Sequence, residues 1–500
     1  MITVTGLTKH YGDRIAVDDL GFELVAGRVT GFVGPNGAGK STTMRMMVGL
    51  TRPDRGEVRY DSIRYGDLEH PARTVGSVLD ARSMHPGRTA RNHLRASAAL
   101  SSIPTRRVDE VLADVGLESG ADDKAGGFSL GMRQRLALAT ALLWDPRVLL
   151  LDEPSNGLDP DGIRWMRHHL RAFADAGGTV FVSSHLIAEL ARFADDLVVV
   201  GAGRLIAAET VASLTARTGL SLEDSLLEMT AGATELPLPL SVEVTSPARR
   251  DGVDRLAAVL RSEWIKSTTV RTNKTIVAAA VVVGLLASWA TAMFIDEEGQ
   301  TAAEVAAGST ALTAVLAAIA GILLFSAEAQ HGTLAGALAA QPARWPVVAG
   351  KAVAATAFGL ALGVVGLLTG FAGALAGGLE VGDRSGKPSM WLWAVLYTCG
   401  SAVLGLGVGM VVRHSAGAIS GLLVWWLVVE GLIVGFAPGE VSRFVPFDTG
   451  WRSLGIVSDL DPSEVVAAGL SNAAHAAIFW VYVLAALVIG AVLVYRRDVD

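Results

Sequence analysis

Residues 34–42 read GPNGAGKST: Gly34, Pro35, Asn36, Gly37, Ala38, Gly39, Lys40, Ser41 and Thr42. Upstream, GRVTGFV (27–33) is a short run with β-branched residues and an aromatic, as a strand requires. Downstream, TTMRMMVGL (42–50) carries methionines and a leucine suited to a helix. Strand, tight glycine loop and helix are the context in which such a stretch cradles phosphates. The glycines let backbone N–H groups approach the anion, and the helix N-terminus adds positive potential. In that arrangement Lys40 reaches the β and γ phosphates of ATP and Ser41 ligates Mg²⁺.

Further along, VLLLDEP (148–154) reads as a buried strand ending in two carboxylates. Burying two carboxylates without a cation is costly, so the pair points to a metal–nucleotide site. Asp152 is placed to hold Mg²⁺ through water, and Glu153 to orient or deprotonate the attacking water. VFVSSH (180–185) ends another apolar run in a polar tip at His185.

Several further stretches occur in the order found in the nucleotide-binding domain of ABC transporters, which residues 1 to about 230 resemble. Tyr11 falls where that family stacks an aromatic on adenine. FSLGMRQRL (128–136) is similar to its signature segment, and SNGLD (155–159) to the loop that crosses the dimer. His185 matches the switch histidine that senses the γ phosphate. The resemblance implies an α/β P-loop ATPase with an ABC-type helical subdomain. It also implies that ATP lies between one phosphate loop and the partner's Ser129 and Gly131, with Asp159 in the crossing loop. One such domain per chain must then pair, so a homodimer is expected. The sequence departs from the family pattern at Leu130 and Met132 in the signature. It departs again at Asp80, where the family commonly has a glutamine meeting Mg²⁺ and the membrane domain; a carboxylate there can still ligate the metal.

The second half changes character. Over the chain, hydrophobic residues make up 51% and charged residues 18%, with mean hydropathy +0.42. A soluble domain is nearer a quarter charged. Residues 231–260, with three prolines in AGATELPLPLSVEVTSPARRDG, read as a linker or small irregular extension. Apolar stretches then recur near 275–295, 305–327, 352–379, 389–412, 415–438 and 474–495. Each is long enough to cross a bilayer as a helix, so residues 261–500 are expected to form an all-α permease domain of six spans.

The connecting charges orient it. Arg261, Lys266, Arg271 and Lys274 precede the first span, whereas Asp296, Glu297, Glu298 and Glu304 follow it. Arg344 and Lys351, then Arg413 and His414, then Arg496 and Arg497 fall on the same alternate set of ends. Basic residues mark the cytoplasmic side, which places both termini inside and the 439–473 segment outside. The opening MITVTGLTKHYG has no basic region followed by an apolar one, so the first domain is expected in the cytoplasm, facing the plasma membrane.

SEWIKSTTVRTNK (262–274) reads either as an interfacial helix or as an extension of the first span. EAQHGTLAGALAAQPARWP (328–346) has room for a short helix ending near Pro342 and looks like the coupling segment of bacterial drug and antibiotic exporters. Glu430, inside the fifth apolar stretch, is favoured as a structural hydrogen-bonding group over a contact to a cationic substrate. The single cysteine, Cys399, excludes an internal disulfide and a thiolate metal cluster. A net charge of −7 gives no reason to expect nucleic acid as a partner. ATP-driven export of an unknown substrate is the expected function; a membrane-anchored ATP-dependent regulator is the alternative.

Overall fold

The computed structural model describes residues 1–184, 190, 192–218, 252–294, 300–381, 387–437, 444–456 and 470–498. It divides into two compact units: Met1–Ile265 with His331–Val347 and Asp498–Asp500, and Lys266–Gln330 with Val348–Arg497.

The first unit contains two sheets. In the smaller, β1 (Ile2–Tyr11), β2 (Arg14–Leu24), β4 (Arg55–Tyr60) and β5 (Ile63–Arg64) run in the order β2-β1-β4-β5. All its pairings are antiparallel. The larger sheet holds β3 (Val29–Val33), β6 (Val75–Val78), β7 (Val148–Asp152), β8 (Thr179–Ser183), β9 (Asp196–Gly201) and β10 (Arg204–Thr210), in the order β10-β9-β3-β8-β7-β6. Only the β9–β10 pairing is antiparallel. Parallel strands covered on both faces need continuous apolar runs, and β3 and β8 are buried along their whole length. Phe32 of β3 stacks on Phe181 of β8 with centroids 4.8 Å apart. Phe22 of β2 stacks on the same Phe181 at 5.3 Å, which fixes the β1–β2 hairpin against the larger sheet.

A helical layer comprises Ala90–Leu100, Arg106–Asp114 and Leu130–Leu142. It receives two pieces from later in the chain. Ser262 Oγ, in the helix Gly252–Thr269, donates to Ala96 O at 2.8 Å. Gln341 Nε2 donates to Leu100 O at 3.0 Å. Residues 333–340 do form a short helix, and Tyr65 Oη donates to Ala339 O at 2.5 Å within the same unit. The helix that begins at Gly252 occupies the end of the stretch read as a linker and stops before Val270. The first span then starts separately, at Arg271. Trp264 on that helix is 71% exposed.

The second unit is all-α. Among the described residues, six helices are long and apolar enough to cross a membrane: Arg271–Phe294, Ala302–Gln330, Arg344–Ala376, Ser389–Val412, Ser415–Phe436 and Asn472–Arg496. The second and fourth pack backbone to backbone. A Cβ on Gly321 would lie 1.9 Å from Ala402 O, and one on Gly405 would lie 2.0 Å from Ala318 O. Small residues supply this contact because lipid offers no hydrophobic drive for helices to associate.

Two buried carboxylates of this unit are held by neighbouring donors. Glu328, at the end of the second span, accepts Lys266 Nζ at 2.8 Å and Lys351 Nζ at 2.9 Å. Lys351 also donates to Leu324 O at 2.9 Å. In the fifth span, Trp425–Glu430 is wound as a π-helix. Its Glu430 carboxylate accepts the Trp425 indole N–H at 2.8 Å and the backbone N–H groups of Phe447 at 3.0 Å and Asp448 at 3.1 Å. Those two N–H groups open the short helix Pro446–Arg452, whose Phe447 ring stacks on Trp426 at 4.5 Å. Glu430 therefore makes hydrogen bonds to a neighbouring helix of the kind favoured from sequence.

Candidate nucleotide site

The parallel strands of the larger sheet end together, and the phosphate loop, Asp152 and Glu153 sit at those ends. β3 runs into the glycine loop, and the helix Lys40–Met47 starts behind it. Gly39 has φ 95°, and a Cβ there would come within 2.4 Å of Ala16 O, so the turn into the helix requires glycine twice over. Lys40 is only 7% exposed. Its Nζ donates to Gly34 O at 2.7 Å and Pro35 O at 3.2 Å, folding the side chain back over its own loop. Burial holds the ammonium below the usual lysine value, against the attraction of Glu153 and Asp152.

β8 lies between β3 and β7, and its register sets Ser183 opposite Asp152. Ser183 Oγ donates to Asp152 Oδ1 at 2.5 Å and accepts the backbone N–H of Glu153 at 2.9 Å. One hydroxyl thus fixes both carboxylate residues. Glu153 has φ 48°, a left-handed conformation unusual for a side chain with a Cβ and typical of functional turns. Asn156 Nδ2 donates to Glu153 Oε2 at 2.5 Å.

A cleft of about 370 Å³ opens over the loop, lined by Tyr11, Arg14, Ala16, Asn36, Gly37, Gly39, Lys40, Ser41, Thr42 and Glu153. The volume is in the range of small-ligand sites. Tyr11, from the β1–β2 hairpin, is half-exposed, with Lys9 Nζ 5.3 Å from its ring centroid.

The remaining candidates lie elsewhere. Ser129 caps the helix Leu130–Leu142, its Oγ accepting the Met132 N–H at 3.2 Å. Asp159 caps the helix Pro160–Asp175, its Oδ1 accepting the Gly162 N–H at 2.7 Å. Neither they nor Gly131 line the cleft. Leu130 lies over the SNGLD turn, where a Cβ on Gly157 would come within 2.0 Å of Leu130 Cδ2. Asp80 does not line the cleft either; its carboxylate accepts the Arg82 backbone N–H at 2.8 Å and Arg82 Nε at 3.2 Å. His185 lies outside the described residues.

Sequence reasoning passed over Arg14, Ser183 and Asn156. VFVSSH had drawn attention to its histidine, and only the strand register distinguishes Ser183 from its neighbour Ser184.

The sequence profile described as ABC transporter matches residues 17–156. The bacitracin transport ATP-binding protein BcrA of Bacillus licheniformis is 39% identical over 209 residues, covering 41% of this chain and 68% of that protein. The chain belongs to the ABC transporters. Another relative, the uncharacterized ABC transporter ATP-binding protein YhcH of Bacillus subtilis (strain 168), is 40% identical over 215 residues, or 42% of this chain and 70% of that protein. The lantibiotic transport ATP-binding protein SrtF of Streptococcus pyogenes is 31% identical over 206 residues, covering 41% of this chain and 89% of that protein. This ABC transporter is an ATP hydrolase, and with six apolar helices after its ATPase domain it is a multi-pass membrane protein.

Proposed function

We propose that the protein is a homodimeric exporter in which two ATP molecules, each held between paired ATPase domains, drive a substrate outward across the plasma membrane. The observation that carries this reading is the cleft joining Tyr11, Lys40, Ser41 and Glu153 in a chain that also holds six apolar spans. Bacitracin and lantibiotic transport, named in two relatives, makes a peptide antibiotic the first substrate class to try.

In this reading Tyr11 stacks on adenine, the backbone of residues 34–42 cradles the phosphates, and Lys40 faces their terminal oxygens. Ser41 and Asp152 would hold Mg²⁺, which supplies charge neutralisation along the phosphate chain. The glycine cradle and the carboxylate fixed by Ser183 fit that ion. Asp80 would join them only by releasing Arg82. Glu153 orients the attacking water and takes up its proton, with Asn156 and Ser183 holding it in place. His185 would sense the γ phosphate, as the resemblance to the family implies. Ser129 and Gly131 meet the nucleotide of the partner chain, with Asp159 in the loop that crosses between them. The N-terminal domain and the C-terminus lie in the cytoplasm.

The test is ATP-dependent movement of labelled peptide antibiotics in proteoliposomes, with the Glu153→Gln variant alongside. The expected outcome is transport by the wild-type chain, with the variant still binding ATP but neither hydrolysing nor transporting. ATP turnover without movement of any compound in a broad panel would favour a regulator instead. Wild-type turnover in the variant would remove Glu153 from its role.

A further inference from the structure

Arg14 and Lys40 line the cleft, Lys9 lies beside the ring of Tyr11, and the three cations differ in what holds them. Lys9 is paired with Asp498 at 2.9 Å and Asp54 at 3.8 Å. Lys40 is folded onto two loop carbonyls. Arg14 lines the cleft, is exposed, and has no hydrogen bond or ion pair among the described residues.

Its position is set by the hairpin. Tyr11 and Arg14 are directly opposed in the β1–β2 register, across a turn made by Gly12 and Asp13. Opposed residues in an antiparallel pair project to the same face. The hairpin tip therefore offers an aromatic ring and a guanidinium side by side, and both line the cleft. The hairpin is anchored behind this tip by the Phe22–Phe181 stack. Arg14 also sits close over the phosphate loop, since a Cβ built on Gly37, whose φ is +84°, would lie 3.3 Å from Arg14 Nη2.

We propose that Arg14 is a second phosphate-binding cation, which grips the phosphate chain of ATP and ADP from the hairpin side while Lys40 holds it from the loop side. The inference rests on the cleft being the nucleotide site. A nucleotide whose base lies on Tyr11 must run its phosphates past the neighbouring residue on the same hairpin face. A planar guanidinium suits phosphate oxygens through paired, charge-assisted hydrogen bonds, and an unpartnered one forfeits no internal contact by turning to them. Because Arg14 meets the bound nucleotide and not the attacking water, its contribution falls on binding and not on the chemical step.

The experiment measures binding of MgATP and MgADP, and the kcat and KM of hydrolysis, on the full chain in lipid nanodiscs. The variants are Arg14→Ala, Arg14→Gln and Arg14→Lys. Arg14→Ala and Arg14→Gln are expected to weaken both nucleotides about ten-fold and raise KM in parallel, with kcat held within about two-fold. Arg14→Lys is expected to recover part of the affinity, and the wild-type Kd to rise more steeply with salt than that of Arg14→Ala. Kd and KM within two-fold of wild type in both Arg14→Ala and Arg14→Gln would overturn the proposal, as would a fall in kcat at unchanged Kd. A Lys40→Ala control separates the two readings. If it binds ATP as the wild type does, the cleft is not the nucleotide site, whatever Arg14 does.

Discussion

Lys40 in the ATPase unit and Lys351 in the membrane unit are both buried, at 7% and 0% exposure. Lys351 meets a carboxylate at 2.9 Å and a carbonyl at 2.9 Å. Lys40 meets two carbonyls, and no carboxylate comes within 4.0 Å of its Nζ among the described residues. A buried charge is tolerated only when something compensates it. In the membrane unit the compensation is built in, and the Lys266–Glu328–Lys351 cluster joins three helices. In the ATPase unit it is incomplete, and burial depresses the Lys40 ammonium. An incoming phosphate chain would complete it. The same residue type is thus cement in one unit and, in the proposed function, a receptor for phosphate in the other.

That contrast can be broken from either side. The largest expected effect is on chemistry. Lys40→Ala should lower ATP turnover on the order of 10²- to 10³-fold, as when a transition-state charge partner is removed. Its melting temperature should hold or rise, because an incompletely compensated buried charge has been taken away. A variant that keeps its turnover, or that melts well below the wild type, would put Lys40 in the structural class with Lys351.

Glu328→Ala should do the reverse. It leaves Lys351 and Lys266 buried without their carboxylate, at a cost of about 3–5 kcal/mol. Roughly a 10 °C drop in melting temperature follows for a unit of this size. Equilibrium ATP binding should be unchanged. The double variant Glu328→Leu/Lys351→Leu should recover part of the loss, because replacing both partners removes the orphaned charge. No recovery would mean that the helices need the ion pair itself, not merely the neutrality.

The smallest effect is expected at Glu430. Glu430→Gln keeps acceptors for the Trp425 indole and part of the Phe447–Asp448 pair, whereas Glu430→Ala orphans all three donors. The alanine variant should cost about 2 kcal/mol and the glutamine variant about half of that, read as shifts of a few degrees in thermal melts. ATP turnover should stay at the wild-type level in both. A glutamine variant that melts normally but loses transport of a cationic compound alone would return Glu430 to the substrate path.

The two units were also unequally legible. The phosphate loop is local chemistry: glycines, lysine and serine at fixed spacing can be recognised before any folding is known. The spans are local too, since crossing a bilayer requires a long run of apolar residues in sequence. Ser183 could not be singled out, because its importance comes from the register that sets β8 against β7. Arg14 was passed over for the same reason. Three residues beyond Tyr11 it reads as a solvated charge, and only the hairpin pairing brings it to the cleft. Asp80 was legible as a departure from the family pattern, but its partner was not, because the Arg82 contact depends on how the loop turns.

The sequence by itself determined the order of the domains, the phosphate loop, the two carboxylates at the end of β7 and the six apolar helices, because each is written in contiguous residues whose periodicity or spacing has a direct physical meaning. The tertiary structure decided which of the buried charges neutralise one another and which were left facing a cleft. It decided that Glu430 holds the helix Pro446–Arg452, that residues 333–340 and 252–265 belong with the ATPase unit, and that a serine and an arginine join the site. Those outcomes depend on which groups distant in sequence the fold brings together, and hydrogen bonds and ion pairs are strong only within about 3 Å.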